Sequence, residues 1–338
     1  MTADPVLVLA WLVAAHLAAD FVFQWGRLVR AKTMPGGRGA RGLLIHGAIV
    51  AALLLPVVAA FGVPGWRVLV TVVVTHVAID WTKIVLTRRA EAAAAADAAR
   101  RHEPSGSPVD GLGPAWTPLP AVLFALDQLA HLAVLGGAWL AFLSTAPLEP
   151  GFVTWAGSWL ADRDQAVVHE VAVRTVVLAS LLVVNVRAGA LFVAVLVGAR
   201  APTEGRVPPA ASAATAPLDA TPAARRMGWT VRLGPLTGRA VPDAETGPVP
   251  ETARPSAAAP PARVGEAIGI LERLLVVTFV LVRAEAAIGL VIAAKTLARF
   301  RQLDDRDFAE YYLLGTLASV AIAAISAFAA VAVLDTLG

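Results

Sequence analysis

Three apolar stretches of this chain each carry a histidine and an aspartate four residues apart. His16 and Asp20 lie in AWLVAAHLAADFVFQ, His76 and Asp80 in VLVTVVVTHVAIDWTK, and in LFALDQLAHLAVL the order reverses to Asp127 and His131. On a helix, a spacing of four places both side chains on one face, about one turn apart. Imidazole nitrogen and carboxylate oxygen without sulfur suit a divalent transition metal: Zn or Mn, with Fe, Co and Ni also compatible. The same groups can relay protons. His46 adds a fourth imidazole, and Gln24, Lys83 and Gln128 continue the polar faces. His16, Asp20, His46, His76 and His131 are therefore the candidate metal ligands. Asp80 and Asp127 are the candidates for acid–base work, and Lys83 is the candidate contact for an anion.

The elements that position these groups read as membrane helices. The chain is 57% apolar with mean hydropathy +0.69, against roughly 45 to 50% apolar for soluble domains. Runs long enough to span, about 20 residues each, lie at 6–25, 43–62, 66–87, 119–143, 170–198, 264–282 and 309–334, with a shorter run at 286–300. This predicts an all-α polytopic bundle of about seven or eight transmembrane helices. At 1.5 Å per residue, the short run barely reaches across a core of about 30 Å, so it is either a full crossing or a re-entrant half-helix.

Arginine placement sets an expected orientation. Arg27, Arg30, Lys32, Arg38 and Arg41 follow the first run, and Arg88, Arg89, Arg100 and Arg101 the third, which puts both loops on the cytoplasmic side. The acidic loop from 144 to 168, with Trp155 and Trp159, faces outward, as does the N-terminus. The first and third helices then run inward and the fourth outward, so the reversed motif brings three histidines to one depth and three aspartates to another. The aspartates lie roughly five to eight residues from the cytoplasmic ends and the histidines roughly nine to twelve, about 14 to 18 Å deep. His46 is expected about one turn into the second run from the same side. Residues 200–263, rich in Pro, Ala, Thr and Arg, read as a disordered cytoplasmic linker. It separates a five-helix membrane domain, 1–199, from a C-terminal membrane domain of two to three helices, 264–338.

Cost argues against decoration. An aspartate near mid-membrane costs roughly 2.5 to 3.5 kcal/mol, so three together need a compensating charge or protonation, which a divalent cation would supply. A lone membrane histidine or aspartate more often bonds a neighbouring helix, at about 0.6 kcal/mol on average; three pairs in registry point to a shared site. Only Lys32, Lys83 and Lys295 are lysines among 28 basic residues, and the last two fall within or at the ends of apolar helices. A compact, titratable ammonium fits such a place, as does snorkelling to the interface. The C-terminal part carries its own charged set, Glu272, Arg273, Lys295, Arg299 and Glu310, read as salt-bridge glue or as substrate contacts.

Composition excludes several classes. There is no cysteine, hence no disulfide, thiolate metal site or cysteine nucleophile. The net charge of +3 comes mostly from arginines between apolar runs and carries no nucleic-acid signature. The N-terminus lacks the basic flank of a signal peptide and reads as a retained first helix. No nucleotide loop, serine elbow or HExxH occurs. His102 and His169 fall in loops and read as solvated.

The motifs AHLAADFVFQ at 15–24, LLIHG at 43–47, THVAIDWTK at 75–83 and LDQLAHL at 126–132 resemble the bacterial membrane-protein family known as domain of unknown function 3307. IGILERLL, EAAIGLVIAAKTLARF and AEYYLLGTLAS resemble the C-terminal block of its longer members. The resemblance implies a multi-pass protein of the bacterial cytoplasmic membrane but no established activity, and the 200–263 stretch is longer and richer in proline than the family leads one to expect. The HxxxD style is also distantly similar to membrane-bound metal-dependent hydrolases of bacteria. Three functions follow as expectations: a metal-dependent hydrolase on a lipid-linked or phosphate-containing anion, a proton- or cation-coupled transporter, or a partner-binding protein whose polar groups are helix glue. The bilayer is the expected partner, and a homo-oligomer is compatible with all three.

Overall fold

A computed structural model describes residues 4–100, 116–198, 229–233, 236–240 and 261–337. The chain opens with α1 (Pro5–Leu17), capped by the Asp4 carboxylate, which accepts from the Leu7 N–H at 2.9 Å. It continues into a π-turn at Ala18–Val22. A short α2 (Gly26–Lys32) precedes α3 (Gly37–Phe61) and the long α4 (Val63–Arg100), then α5 (Leu119–Phe142) and α6 (Pro150–Leu160). Next, α7 (Gln165–Val183) passes through a second π-turn, Val184–Ala188, into α8 (Gly189–Leu196). The C-terminal helices are α9 (Pro261–Leu281), α10 (Ala286–Ala298) and α11 (Arg306–Leu334).

Among the described residues, six helices are long and apolar enough to cross a membrane: Pro5–Val22, Gly37–Phe61, Val63–Arg100, Leu119–Phe142, Gln165–Leu196 and Phe308–Leu334. Their surfaces invert the soluble pattern. Leu44, Val74, Leu129 and Ile325 are exposed at 67, 63, 61 and 71%, while four histidines and three aspartates are buried. An apolar exterior around a polar centre is what a lipid solvent requires.

Register comes from one tight turn. Only Gly62 separates α3 from α4, at φ +60°, and a Cβ there would strike the Glu149 carboxylate. His76 lies 14 residues after Gly62, His46 lies 16 before it and Asp80 lies 18 after it, so the antiparallel pair sets His46 between the levels of His76 and Asp80. Gly47 keeps the two helices close here, since an added Cβ would come 2.9 Å from Val77 Cγ2. Because α3 begins at Gly37 rather than 43, His46 is its tenth residue, deeper than the one turn the sequence suggested.

The short run at 286–300 is a return leg. Arg283, just past α9, pairs with Asp335, just past α11, at 2.7 Å, and Arg273 on α9 bonds Ser319 on α11, so α9 and α11 run parallel. Val276, Val277 and Val280 pack with Ala323, Ala327, Ala330 and Val331 along that seam. Two parallel helices need an antiparallel connection, and α10 supplies it, its 13 residues rising about 20 Å before a short 3₁₀ turn.

Met1–Ala201 with Pro261–Gly338 form one compact unit and Pro202–Pro260 another. Most of the 200–263 stretch expected as a linker lies outside the described residues, as does His102. Within the stretch, β1 (Trp229–Leu233) and β2 (Leu236–Ala240) pair as an antiparallel hairpin, which its composition did not signal.

Helix α2 is packed on α3 through glycine: a Cβ at Gly42 would meet Ala31 C at 2.8 Å and Lys32 Cα at 2.9 Å. Gly42→Val should therefore lower the melting temperature in detergent, at about 1 to 3 kcal/mol for a forced overpacking. Gly136→Ala on α5, where nothing lies within 4 Å of the added carbon, should instead be neutral or stabilising by about 0.5 to 1 kcal/mol.

Candidate metal centre

The polar residues of α1, α3, α4 and α5 meet in one buried centre. His16, His46, His76 and His131 are 4, 0, 1 and 3% exposed, and Asp20, Asp80 and Asp127 are 8, 0 and 4% exposed. The rings of His16, His76 and His131 lie within 4.2 to 5.5 Å of one another, centroid to centroid, the single layer expected of antiparallel motifs.

The tightest set joins three helices. His46 Nε2 lies 3.1 Å from Asp20 Oδ1, 2.9 Å from His76 Nε2 and 3.4 Å from Asp80 Oδ2, while His76 Nε2 is 3.2 Å from Asp20 Oδ1 and 4.0 Å from Asp80 Oδ2. Each Nε2 can carry one proton at most. If both donate to Asp20, the short nitrogen–nitrogen edge holds no hydrogen; if one donates to the other ring, Asp20 loses a donor. A cation among the four atoms removes the conflict. Tetrahedral coordination with bonds of about 2.0 to 2.1 Å puts neighbouring donors about 3.3 Å apart, close to most of these separations.

Other groups flank this set. His131 Nδ1 lies 2.8 Å from the Asp127 backbone carbonyl, which can only accept, so a neutral ring leaves Nε2 bare. Among the described residues, that Nε2 has no hydrogen-bond partner, nor do Asp127 Oδ1 and His46 Nδ1, and Asp80 Oδ1 meets only the Lys83 ammonium. His16 Nε2 donates to Gln128 Oε1 at 3.3 Å, which leaves the lone pair of a neutral ring on Nδ1. The Gln128 amide nitrogen bridges Asp20 and Asp127 at 3.4 and 3.0 Å. Three overlapping triads can hold a metal ion: His16, Asp20 and His131; Asp20, His46 and His76; His76, Asp80 and His131.

Two features escaped the sequence. The first is the π-turn, in which the Phe23 N–H reaches Ala18 O at 2.8 Å, five residues back. The wider turn re-aims Asp20 toward α3 and leaves its Oδ2 4.0 Å from His16 Nε2. The second is Lys32, taken from sequence as a topology marker. It is 5% exposed, ion-paired with Asp80, and steadied by Gln24 Oε1 at 3.4 Å. Lysine scarcity was the available signal: all three lysines pair with buried or half-buried acids.

Lys83, the expected anion contact, bonds Asp127 at 2.8 Å and lies 3.3 Å from Asp80 Oδ1. Three carboxylates thus face two ammoniums, leaving one negative charge with neutral imidazoles. Lysine therefore supplies most of the compensation that the sequence reading assigned to a metal.

The remaining candidates lie elsewhere. Lys295 pairs with Glu272 at 2.5 Å. Arg273, 3% exposed, donates to Asn185 O at 2.6 Å and Ser319 Oγ at 3.1 Å. Arg299 bonds Gln302, and Glu310 pairs with Arg306, both at exposed positions. His169, expected to be solvated, is partly covered and sits 3.4 Å from Asp4.

Residues 8–149 match the family described as protein of unknown function (DUF3307), which takes in all seven histidines and aspartates of the centre and stops short of α7 to α11. No curated protein and no solved structure matches the chain.

Breaking a buried pair strands a charge at about 3 to 5 kcal/mol. Lys32→Met should therefore destabilise the protein by that order in detergent melts. The double variant Lys32→Met/Asp80→Asn should recover more than half of the loss, and strictly additive losses would show that the two groups do not interact.

Proposed function

Starting from residues 8–149 belonging to a family with no assigned function, we propose that the chain is a multi-pass metalloenzyme of the bacterial cytoplasmic membrane that hydrolyses a lipid-linked or phosphate-containing anion. The observation that carries the metal reading is the convergence of Asp20 Oδ1, His46 Nε2, His76 Nε2 and Asp80 Oδ2, with most separations between 2.9 and 3.4 Å. A divalent ion there would supply Lewis acidity and a water activated near pH 7.

The chain's own residues would do the rest. Asp20, His46, His76 and Asp80 would hold the ion, with the bare His131 Nε2 in reach as a further ligand. Asp127, with one oxygen unpartnered, would accept the proton of the attacking water. Lys32 and Lys83 would offset the charge of Asp80 and Asp127 at this depth. With a divalent ion bound, the net charge of minus one becomes plus one, which favours an anionic substrate over a neutral one.

A cation or proton pathway has less support. On the side of the histidines toward the Gly62 turn, Leu12, Val50, Leu54, Val72 and Leu135 close the bundle, and the cavity they share with His16, His76 and His131 is only about 10 Å³, room for about one water. The charge distribution of the loops supports an outward N-terminus and a cytoplasmic 200–263 stretch.

Protein purified from Zn- or Mn-supplemented cells should carry about one equivalent of divalent transition metal by elemental analysis. His46→Ala and His76→Ala should each lose most of it, while the distant Glu310→Gln keeps it. A desalted wild type without stoichiometric metal would overturn the metal reading. Metal-loaded wild type that turns over no lipid ester or lipid phosphate faster than His76→Ala would overturn the hydrolase reading.

A further inference from the structure

One member of the charged centre reaches a cavity large enough for part of a ligand. Lys83 has 23% of its side chain exposed, whereas the side chains of Asp20, Asp80 and Asp127 are at or below 5%. It opens onto a space of about 310 Å³ between α4, α5, α8 and the end of α2. That is the low end of the roughly 300 to 1,000 Å³ usual for ligand sites.

The lining mixes charged, hydroxyl and apolar side chains. Lys83 and Arg88 bring two cations, and Thr33 and Thr87 bring hydroxyls. Phe124, Val195, Ile84 and Pro120 supply the apolar part, with Lys83 Nζ 5.8 Å from the centre of the Phe124 ring. Arg88 donates to the Thr33 carbonyl through Nη2, which anchors the guanidinium and leaves its other N–H groups for a ligand. Glu91 is the one acid in the lining. Planar guanidinium, ammonium and hydroxyl donors together match a tetrahedral oxyanion, and the apolar part matches the first carbons of a chain attached to it. The volume fits a headgroup and its root rather than a whole lipid.

We propose that this cavity seats the headgroup of a lipid carrying a terminal phosphate, with Arg88, Lys83 and the two threonines on the phosphate and Phe124 against the adjoining chain. The proposal deepens the hydrolase reading and rests on it for the claim that this lipid is the substrate. Lys83 is the shared residue: its side chain lines the cavity, and its Nζ pairs with Asp127 and Asp80.

The test uses the full chain in phosphatidylcholine nanodiscs, metal-loaded and metal-stripped, titrated calorimetrically with dihexanoyl phosphatidic acid, dihexanoyl phosphatidylcholine and inorganic phosphate. Phosphatidic acid should bind at least tenfold more tightly than either of the others. Arg88→Gln should weaken it about tenfold, the loss expected for one charge-assisted hydrogen bond. Phe124→Ala should weaken phosphatidic acid and leave inorganic phosphate unchanged. Equal affinity for the two lipids, or Arg88→Gln and Phe124→Ala behaving as wild type, overturns the site; equal affinity for inorganic phosphate overturns its assignment to a lipid. Elemental analysis of the metal-loaded samples separates the two readings. Stoichiometric metal with Arg88-insensitive lipid binding overturns the cavity alone, and Arg88-sensitive binding by protein that retains no stoichiometric metal after loading overturns the metal reading alone.

Discussion

The buried Asp80 carboxylate, held between Lys32 and Lys83, is the interaction on which the rest of the N-terminal bundle depends. A carboxylate at this depth must be neutralised, protonated or paired, and pairing demands geometry from elements far apart in sequence. Lys32 arrives on α2, which lies against α3 only because Gly39 and Gly42 leave no side chains in the way. Lys83 arrives from the helix that carries Asp80 and ties it to Asp127 on α5. Charge, close packing and register are one requirement here: opening the α2–α3 contact would leave Asp80 with Lys83 as its one ammonium partner.

The two π-turns extend that requirement across the unit. Each frees backbone carbonyls from the α-helical pattern, and an arginine meets each turn. Arg187, in the second turn, donates to Phe21 O in the first at 3.4 Å. Arg273 donates to Asn185 O in the second, with Gly189 placed where a Cβ would come 3.2 Å from its side chain. A path of hydrogen bonds thus leads from α11 through Arg273 and Arg187 to the turn that aims Asp20. The C-terminal helices lie outside the family match, yet they brace the segment that holds a central ligand candidate.

Much of this was legible in the sequence, for physical reasons. Apolar runs report helices that face lipid, and four-residue spacing reports a shared helix face; the reversed motif is informative because neighbouring helices alternate in direction. Hence His16, His76 and His131 could be placed in one layer. What spacing cannot report is a change of helical pitch, so the aim of Asp20 was hidden. Nor can hydropathy distinguish a loop lysine in water from one folded back on a short helix. Lys32 was misread for that reason, although its rarity as a residue type pointed the other way. The direction of α10 followed only once Arg283 and Asp335 showed α9 and α11 to be parallel.

The two ends of the bundle are built differently, and on the proposed reading the difference suits chemistry better than conduction. Beyond the histidine layer, toward Gly62, the helices meet through Leu54, Val57, Phe61, Val68 and Leu69, all buried, with no polar side chain among them. An ion or proton leaving that way would lose every partner it had. At the opposite end the aspartates are lined by Lys32, Lys83, Gln24 and Gln128, and Lys83 leads to a cavity with further donors. A conducting path needs polar groups on both sides of its narrowest point. A reaction site entered from one side needs them only at the mouth and the floor, with a dry wall behind to strengthen the electrostatics, and that is the distribution these helices present.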